Sequence, residues 1–289
     1  MQISRTRQLF LATVLGLVSQ VGLADEASTY LDSGRPGLPM AESDPSLFRV
    51  CAPRDNLPFS NEQGEGFENK IAELLAKDLG KKLEYFFWYD RQGFYRNSLN
   101  ANRCDIVMGT AQDADMTRNS KPYFRSGYAF VYKKSSGFNI TGYDSPDLKR
   151  AKIGVIGQSP PSRPLNDYGL IENSRPYRIQ RDLNLPPSFM IDDLLKGEID
   201  VAIVWGPIGG YFAKKAPEEL VVVLAPEYGQ ENPHGQTYWN ISIGVRKKDK
   251  DRVAMINEAI DRNQAQINKI LDDFGIPHVP VVEKKKKGN

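Results

Sequence analysis

"LNANRCDIVM" (99–108) and "LLKGEIDVAIV" (194–204) are built alike. Leu99 stands six residues before Asp105, Leu194 stands six before Asp200, and each aspartate opens an apolar run. Short apolar runs read as strands buried on both faces, the kind found in α/β sheets. Two copies in one chain predict two α/β lobes of similar construction.

The surroundings of the first copy fit this. "SLFRVCAP" (46–53) alternates apolar and polar residues as a strand does. In "GFENKIAELLAKDLG" (66–80), Phe67, Ile71, Leu74, Leu75 and Leu79 recur at helical spacing, and Gly80 supplies a stop. "KLEYFFWY" (82–89) has the aromatic content of a strand. A shorter helix fits 91–101, and "CDIVMG" (104–109) gives a third strand. Alternating strands and helices make a doubly wound unit. The second copy follows "KIGVIG" (152–157), a strand, and lies in "PPSFMIDDLLKGEIDVAIVWGP" (186–207), which gives a helix and then another buried strand.

Two extended stretches, "GYAFVYKK" (127–134) and "TYWNISIGVR" (237–246), lie between the pieces. After the second comes a long amphipathic helix with Val253, Ile256, Ile260, Ile267, Ile270, Leu271 and Phe274 on one face. If this helix returns to the first lobe, both stretches are hinge crossovers. Lobe I is then 47–128 plus 245–280, and lobe II is 135–236. The cleft falls at the carboxyl ends of the strands.

The ends bear on location. Arg5 and Arg7 precede an apolar run, Leu9 to Leu23, that exits through small residues at Ala24. This predicts a secretory signal over 1–24 cleaved after Ala24, and a periplasmic protein. Residues 25–46 form an irregular arm, and 281–289, with Lys284–Lys287, a solvated basic tail. The chain carries 38 Lys+Arg and 36 Asp+Glu. Arg5 and Arg7 lie in the signal, so the mature chain is formally neutral, with no charge signature for nucleic acid. No stretch is long and apolar enough to predict a membrane span. Two cysteines, Cys51 and Cys104, in an oxidising compartment predict one disulfide, and the first and third strands of such a unit are commonly neighbours.

Hinge, repeat and signal together resemble the periplasmic solute-binding proteins of polar amino acid importers. The shared marks are the 66–80 helix, "CDIVMG", Ser120-Lys-Pro-Tyr123 and "LLKGEIDVAIVWGP" (194–207). A narrower likeness rests on "VCA" with "NRCD", the RxGFxRNxLN pattern at 91–100, and "VWGP" (204–207). These resemble the J-type accessory proteins of pyrroloquinoline-quinone (PQQ) methanol dehydrogenases. The resemblance implies a type II-like, two-lobed periplasmic binding protein. It also implies a non-catalytic role in assembly, maturation or activation of the dehydrogenase, with its cytochrome c as a possible further partner and no cofactor. The alternative is an importer component for a small ligand other than a free amino acid.

Aligned on Ser120–Tyr123, the arginine that grips a ligand carboxylate in amino acid binders falls near Ala114. Arg118 and Arg125 are displaced substitutes, and Asp113 and Asp115 have the wrong sign. A helix N-terminus that would donate to an anion reads "GQSPPSRP" (157–164). Ser159 opens it, and Pro160 and Pro161 remove two donors. Aromatic candidates for the cleft are Phe59, Phe67, Trp88, Tyr123, Trp205 and Tyr211. Phe67 reads equally well as core. Glu68 and Asn69 open the first helix, where capping is the simpler reading. His234 and His278 have no partner at ligand spacing. "DADMT" (113–117) lacks the glycine and closing glutamate of a calcium loop. No catalytic set stands out.

Overall fold

The computed structural model describes residues 44–90, 92–178, 186–229 and 235–282. The expected signal segment, residues 25–43 of the expected arm, His234 and the basic tail from 283 lie outside them.

The first half begins with β1 (Leu47–Pro53), the short pair β2 (Asp55–Asn56) and β3 (Ser60–Asn61), and α1 (Phe67–Asp78). Next come β4 (Lys82–Trp88), α2 (Phe94–Asn97), β5 (Ile106–Ala111), the two-residue β6 (Arg118–Asn119) and β7 (Phe124–Lys133). The second half has β8 (Ile153–Ile156), α3 (Ser162–Asp167), β9 (Ser174–Tyr177), α4 (Phe189–Lys196) and β10 (Val201–Trp205). It closes with α5 (Gly206–Lys215), β11 (Leu220–Leu224), β12 (Tyr238–Val245) and α6 (Lys250–Asp273).

The strands run in the order β4-β1-β5-β12-β7-β10-β8-β9, with β11 beside β7. β1 is parallel to β4 and β5, and β8 is parallel to β9 and β10. The two halves therefore repeat one arrangement. In each, the backbone N–H of the marked aspartate donates to the first strand's approach: Asp105 to Arg49 O and Asp200 to Lys152 O, both at 2.9 Å. The halves join where β7 and β12 pair antiparallel, Phe124–Gly127 against Tyr238–Ile241. The remainder of β7 pairs with β10 and β11, while that of β12 pairs with β5.

α6 packs on α1 and completes the first core, burying Ile256, Ile260, Ile267 and Leu271 against Phe67, Ile71 and Leu75. Clusters around Phe130 and Ile203, and around Met190 and Ala202, cover the two faces of the second sheet. Cys51 and Cys104 form the disulfide, with their Cα atoms 5.4 Å apart. Phe94, Leu99 and Val107 pack around it.

Two expectations change. The helix expected over 91–101 is a single turn, Phe94–Asn97. Gly93 before it and Asn102 after it both have positive φ, and turns closed by Arg103 N–H to Ser98 O replace further helix. In addition, a third segment runs beside the two crossovers. Val279 bridges Arg125, Ser126 Oγ donates to Pro277 O (2.6 Å), and Asn240 Nδ2 donates to Val282 O (2.7 Å).

Candidate functional site

The carboxyl ends of β1, β5 and β10 open onto a cleft of about 730 Å³. Pro53, Phe59 and Glu68 form one side, Met108 and Gly109 the floor, and Tyr128, Trp205 and Trp239 the wall at the crossovers. The last three rings contact one another edge to face, with centroids 5.8 Å (Tyr128–Trp205), 6.2 Å (Tyr128–Trp239) and 5.6 Å (Trp205–Trp239) apart. They come from β7, β10 and β12, so the trio exists only because those strands meet.

Of the residues singled out from sequence, Phe59, Glu68 and Trp205 line this cleft. Phe67 and Tyr123 are fully buried in the first core. Tyr123 still touches the floor from below, because its hydroxyl accepts the Gly109 N–H at 3.1 Å. Trp88 stacks on Phe86 beside the disulfide cluster. Tyr211 stacks on Phe274, away from the cleft, and Lys215 Nζ donates to its hydroxyl at 2.6 Å. Asn69 is a capping residue: its Oδ1 accepts the N–H groups of Gly66 (3.1 Å) and Asn61 (3.2 Å). Ser159 Oγ donates to Ile156 O at 2.6 Å, closing the turn before α3.

Neither displaced arginine reaches the cleft. Arg118 is exposed and its Nε donates to Lys247 O at 3.0 Å. Arg125 is buried, pairs with Glu227 at 2.8 Å, and lies 5.4 Å over the Tyr238 ring. α3 is six residues long with Pro161 at its N-cap. Neither usual anion grip is built. Among the described residues, no group of three or more His, Cys, Asp and Glu is placed to hold a metal ion.

Glu68 is the unusual group. It occupies the second position of α1 and is only 6% exposed. Its carboxyl forms no hydrogen bond or ion pair with a described residue. Burial, with the nearby charge of Asp90, pushes it up to about 8. Gly109, at φ +68°, makes room for it, since a Cβ there would collide with Glu68 Oε1. Asp90 lines the same cleft and accepts a hydrogen bond from Asn56 Nδ2 at 2.8 Å.

Sequence reasoning missed Asn56, Asp90, Gln92, Arg96, Met116, Tyr128 and Trp239, which also line the cleft. For Gln92 and Arg96 a signal was present, because both lie in the 91–100 pattern read only as a family mark. Tyr128 and Trp239 sit inside the stretches read only as crossovers.

The sequence profile of the bacterial extracellular solute-binding proteins, family 3, matches residues 48–275. Protein MoxJ of Methylorubrum extorquens is 29% identical over 258 residues, 83% of this chain and 84% of the relative. The crystal structure of MxaJ from Methlophaga aminisulfidivorans superposes with a TM-score of 0.71 at 29% identity, covering 80% of this chain and all of that one. The periplasmic binding protein XoxJ of Methylobacterium extorquens gives 0.68 at 32% identity, over 81% of this chain and all of its own.

Proposed function

We propose, from the premise that this chain belongs to the bacterial extracellular solute-binding proteins, family 3, that it is a non-catalytic periplasmic partner of a PQQ-dependent methanol dehydrogenase. It acts in assembly, maturation or activation of that enzyme. Likeness to MoxJ, MxaJ and XoxJ over both lobes supports the reading. Among the described residues no helix is long and apolar enough to cross a membrane.

The observation that carries it is the cleft itself. It keeps the place of a binder's cleft, yet Arg118 and Arg125 are engaged elsewhere and an unpaired Glu68 stands inside. A carboxylate entering a partly desolvated site needs charged or multiple donors to offset its desolvation. Losing two charge-assisted bonds at about 1.5–3 kcal/mol each weakens binding by roughly a hundredfold or more. Free amino acids are therefore poor ligands, and a docking role fits better.

The test is capture with the tagged chain from periplasm and from detergent-solubilised membranes. Recovery of the dehydrogenase subunits is the expected result. Recovery of a permease complex in their place, or micromolar calorimetric binding of any common amino acid, overturns the reading. The cleft volume also suits a small molecule. That observation favours the second reading, an importer component for a ligand other than a free amino acid.

A further inference from the structure

We propose that the cleft binds an alkylammonium group, with the Glu68 carboxylate as its counter-ion and the Tyr128–Trp205–Trp239 rings as its wall. This goes beyond the partner proposal and stands whether or not a dehydrogenase is the partner.

A buried carboxyl is normally hydrogen-bonded or paired. Glu68 is nine-tenths buried, lines the cleft, and has no such partner among the described residues. The tyrosines around it bond elsewhere: Tyr85 Oη to Asn69 O (3.3 Å), Tyr95 Oη with Thr110 Oγ1 (3.4 Å), and Tyr123 Oη with Gly109 N–H (3.1 Å). The placement is specific, because only a glycine at 109 leaves the carboxyl its space. The site therefore holds one acceptor shaped for a group that the chain itself does not supply.

The chemistry of that group follows by exclusion. An anion meets two carboxyl groups, Glu68 and Asp90, against one cation, the exposed Arg96. A neutral apolar ligand leaves Glu68 unpaired. A divalent metal needs several oxygen ligands, and no set of three acidic, histidine or cysteine groups is gathered among the described residues. An alkylammonium satisfies both halves of the cleft. Its N–H groups pair with the carboxylate, and its methylenes lie along Phe59 and Met108. Ring faces attract a cation within about 6 Å, and three half-buried rings line the same cleft. Arg96, exposed, is the one cation among the described residues lining the cleft, and with neither usual anion grip built the amine favoured is one carrying no α-carboxylate: a free alkylamine, or a lysine side chain of a protein.

Binding is linked to a proton. Burial holds Glu68 up at about 8, so it is protonated at pH 7 and must ionise to pair with the cation. The groups facing it are Asp90, Tyr85, Tyr95 and Tyr123. Burial holds the three tyrosines above their ordinary 10, so they stay neutral. Burial raises the Asp90 carboxyl above its ordinary 3.8 as well. Cation uptake near neutral pH then releases close to one proton, from Glu68.

The experiment is calorimetry on the exported, disulfide-bonded chain in phosphate and in HEPES, neither of which is a primary ammonium ion, at pH 6.5 and 8.5. The probes are n-butylammonium chloride, n-butanol as the neutral analogue, and Nα-acetyl-lysine N-methylamide. Butylammonium is expected to bind about tenfold or more tighter than butanol. Its affinity should rise roughly twentyfold from pH 6.5 to 8.5, with proton release shrinking over the same range. Glu68→Gln, checked for folding by its thermal melt, abolishes the proton release and weakens binding about tenfold or more. Trp239→Ala weakens binding but keeps the release. Binding of butylammonium points to a free amine as the natural ligand; binding of the capped lysine alone points to a protein side chain. No binding of either cation at about 20 mM, near the weak end of the affinity scale, overturns the proposal. So does binding that butanol matches, or that Glu68→Gln leaves unchanged.

Discussion

Asp105 and Asp200 share a place in the repeat, but their side chains are used differently. Asp200 Oδ2 accepts the Lys152 N–H at 2.8 Å near the surface. Asp105 is enclosed by three arginines: Arg49 in a forked pair at 2.9 and 3.0 Å, Arg246 at 2.8 Å and Arg252 at 3.5 Å. Burial pushes this carboxyl up, but the hydrogen bonds from Arg49 and Arg246, helped by the charges of Arg252 and Arg49, outweigh it and hold it below its ordinary 3.8. A depressed folded-state value means stability that is full above pH 3.8 and lost as pH falls through the folded value. We predict that Asp105→Asn, which leaves buried arginines uncompensated, costs about 3–5 kcal/mol near neutrality. It should also flatten the loss of stability below pH 4, read from urea midpoints. An unchanged midpoint at pH 7 would refute the network's role. Glu68 has the opposite sign. Its raised value gives stability that is full below its ordinary 4.5 and lost as pH climbs through about 8. Glu68→Gln should therefore gain stability relative to the parent between pH 5 and 9, and a constant difference across that range would count against it.

At the scale of elements, α1 shows what a polar residue does inside a helix start. Gly66 caps α1 without a side chain, so the first helical N–H groups, of Phe67 and Glu68, donate to Pro58 O and Phe59 O, while Asn69 reaches back to accept the Gly66 and Asn61 N–H groups. Both donors are buried, and leaving one unpaired costs about 1–3 kcal/mol. Asn69→Ala is expected to lower the thermal midpoint accordingly, while Asn69→Asp, which keeps an acceptor, loses less. Equal losses in the two variants would refute the capping role. The helix at 66–80 was legible in sequence because its apolar residues repeat at helical spacing. The single turn of α2 was not, since Phe94 and Leu99 are held by the disulfide cluster, not by a helical face. β11, "LVVVL" (220–224), carried a plain strand signal that went unread; its place beside β7 comes from pairing alone.

At the scale of the whole molecule, two crossovers lead one to expect lobes free to bend, and the contacts behind the cleft oppose it. Lys214 Nζ on α5 donates to the Asp272 and Asp273 carbonyls at 3.2 and 2.8 Å. Gly210 abuts the Gly275 carbonyl, where a Cβ would collide, and Tyr211 stacks on Phe274 with centroids 6.1 Å apart. With the 277–282 segment beside β7 and β12, the back of the cleft is tied at several points. Hinge closure needs a few residues free to change φ and ψ, and these contacts restrain them. We predict that small-angle scattering of the free chain fits one interlobe arrangement, and that millimolar amino acids leave the curve unchanged. Gly210→Val, by pushing α5 off the Gly275 turn, should enlarge the radius of gyration. A folded Gly210→Val protein with the parent radius would show that this contact does not set the spacing.

The sequence by itself determined the repeat, the strands and the 66–80 helix of its first copy, and the disulfide pair, while α3, β9, α5 and β11 were not read from it. The strands and the helix are local, written in periodicity within one segment, while the repeat and the cysteine pair are matches of composition between two segments. The tertiary structure decided which groups face the cleft. Phe59, Glu68 and Trp205 reach it; Phe67, Trp88, Tyr123 and Tyr211 do not line it, although all are plausible wall residues by type. An aromatic side chain has the same reason to leave water in a core as in a cleft, so its type cannot choose between them. The trio Tyr128, Trp205 and Trp239 arises only where three strands distant in sequence converge. Glu68 has its raised value because the packed cleft takes it out of water and brings the Asp90 charge near it. Burial of a charge depends on what covers it, and that is fixed by the packing of the whole chain.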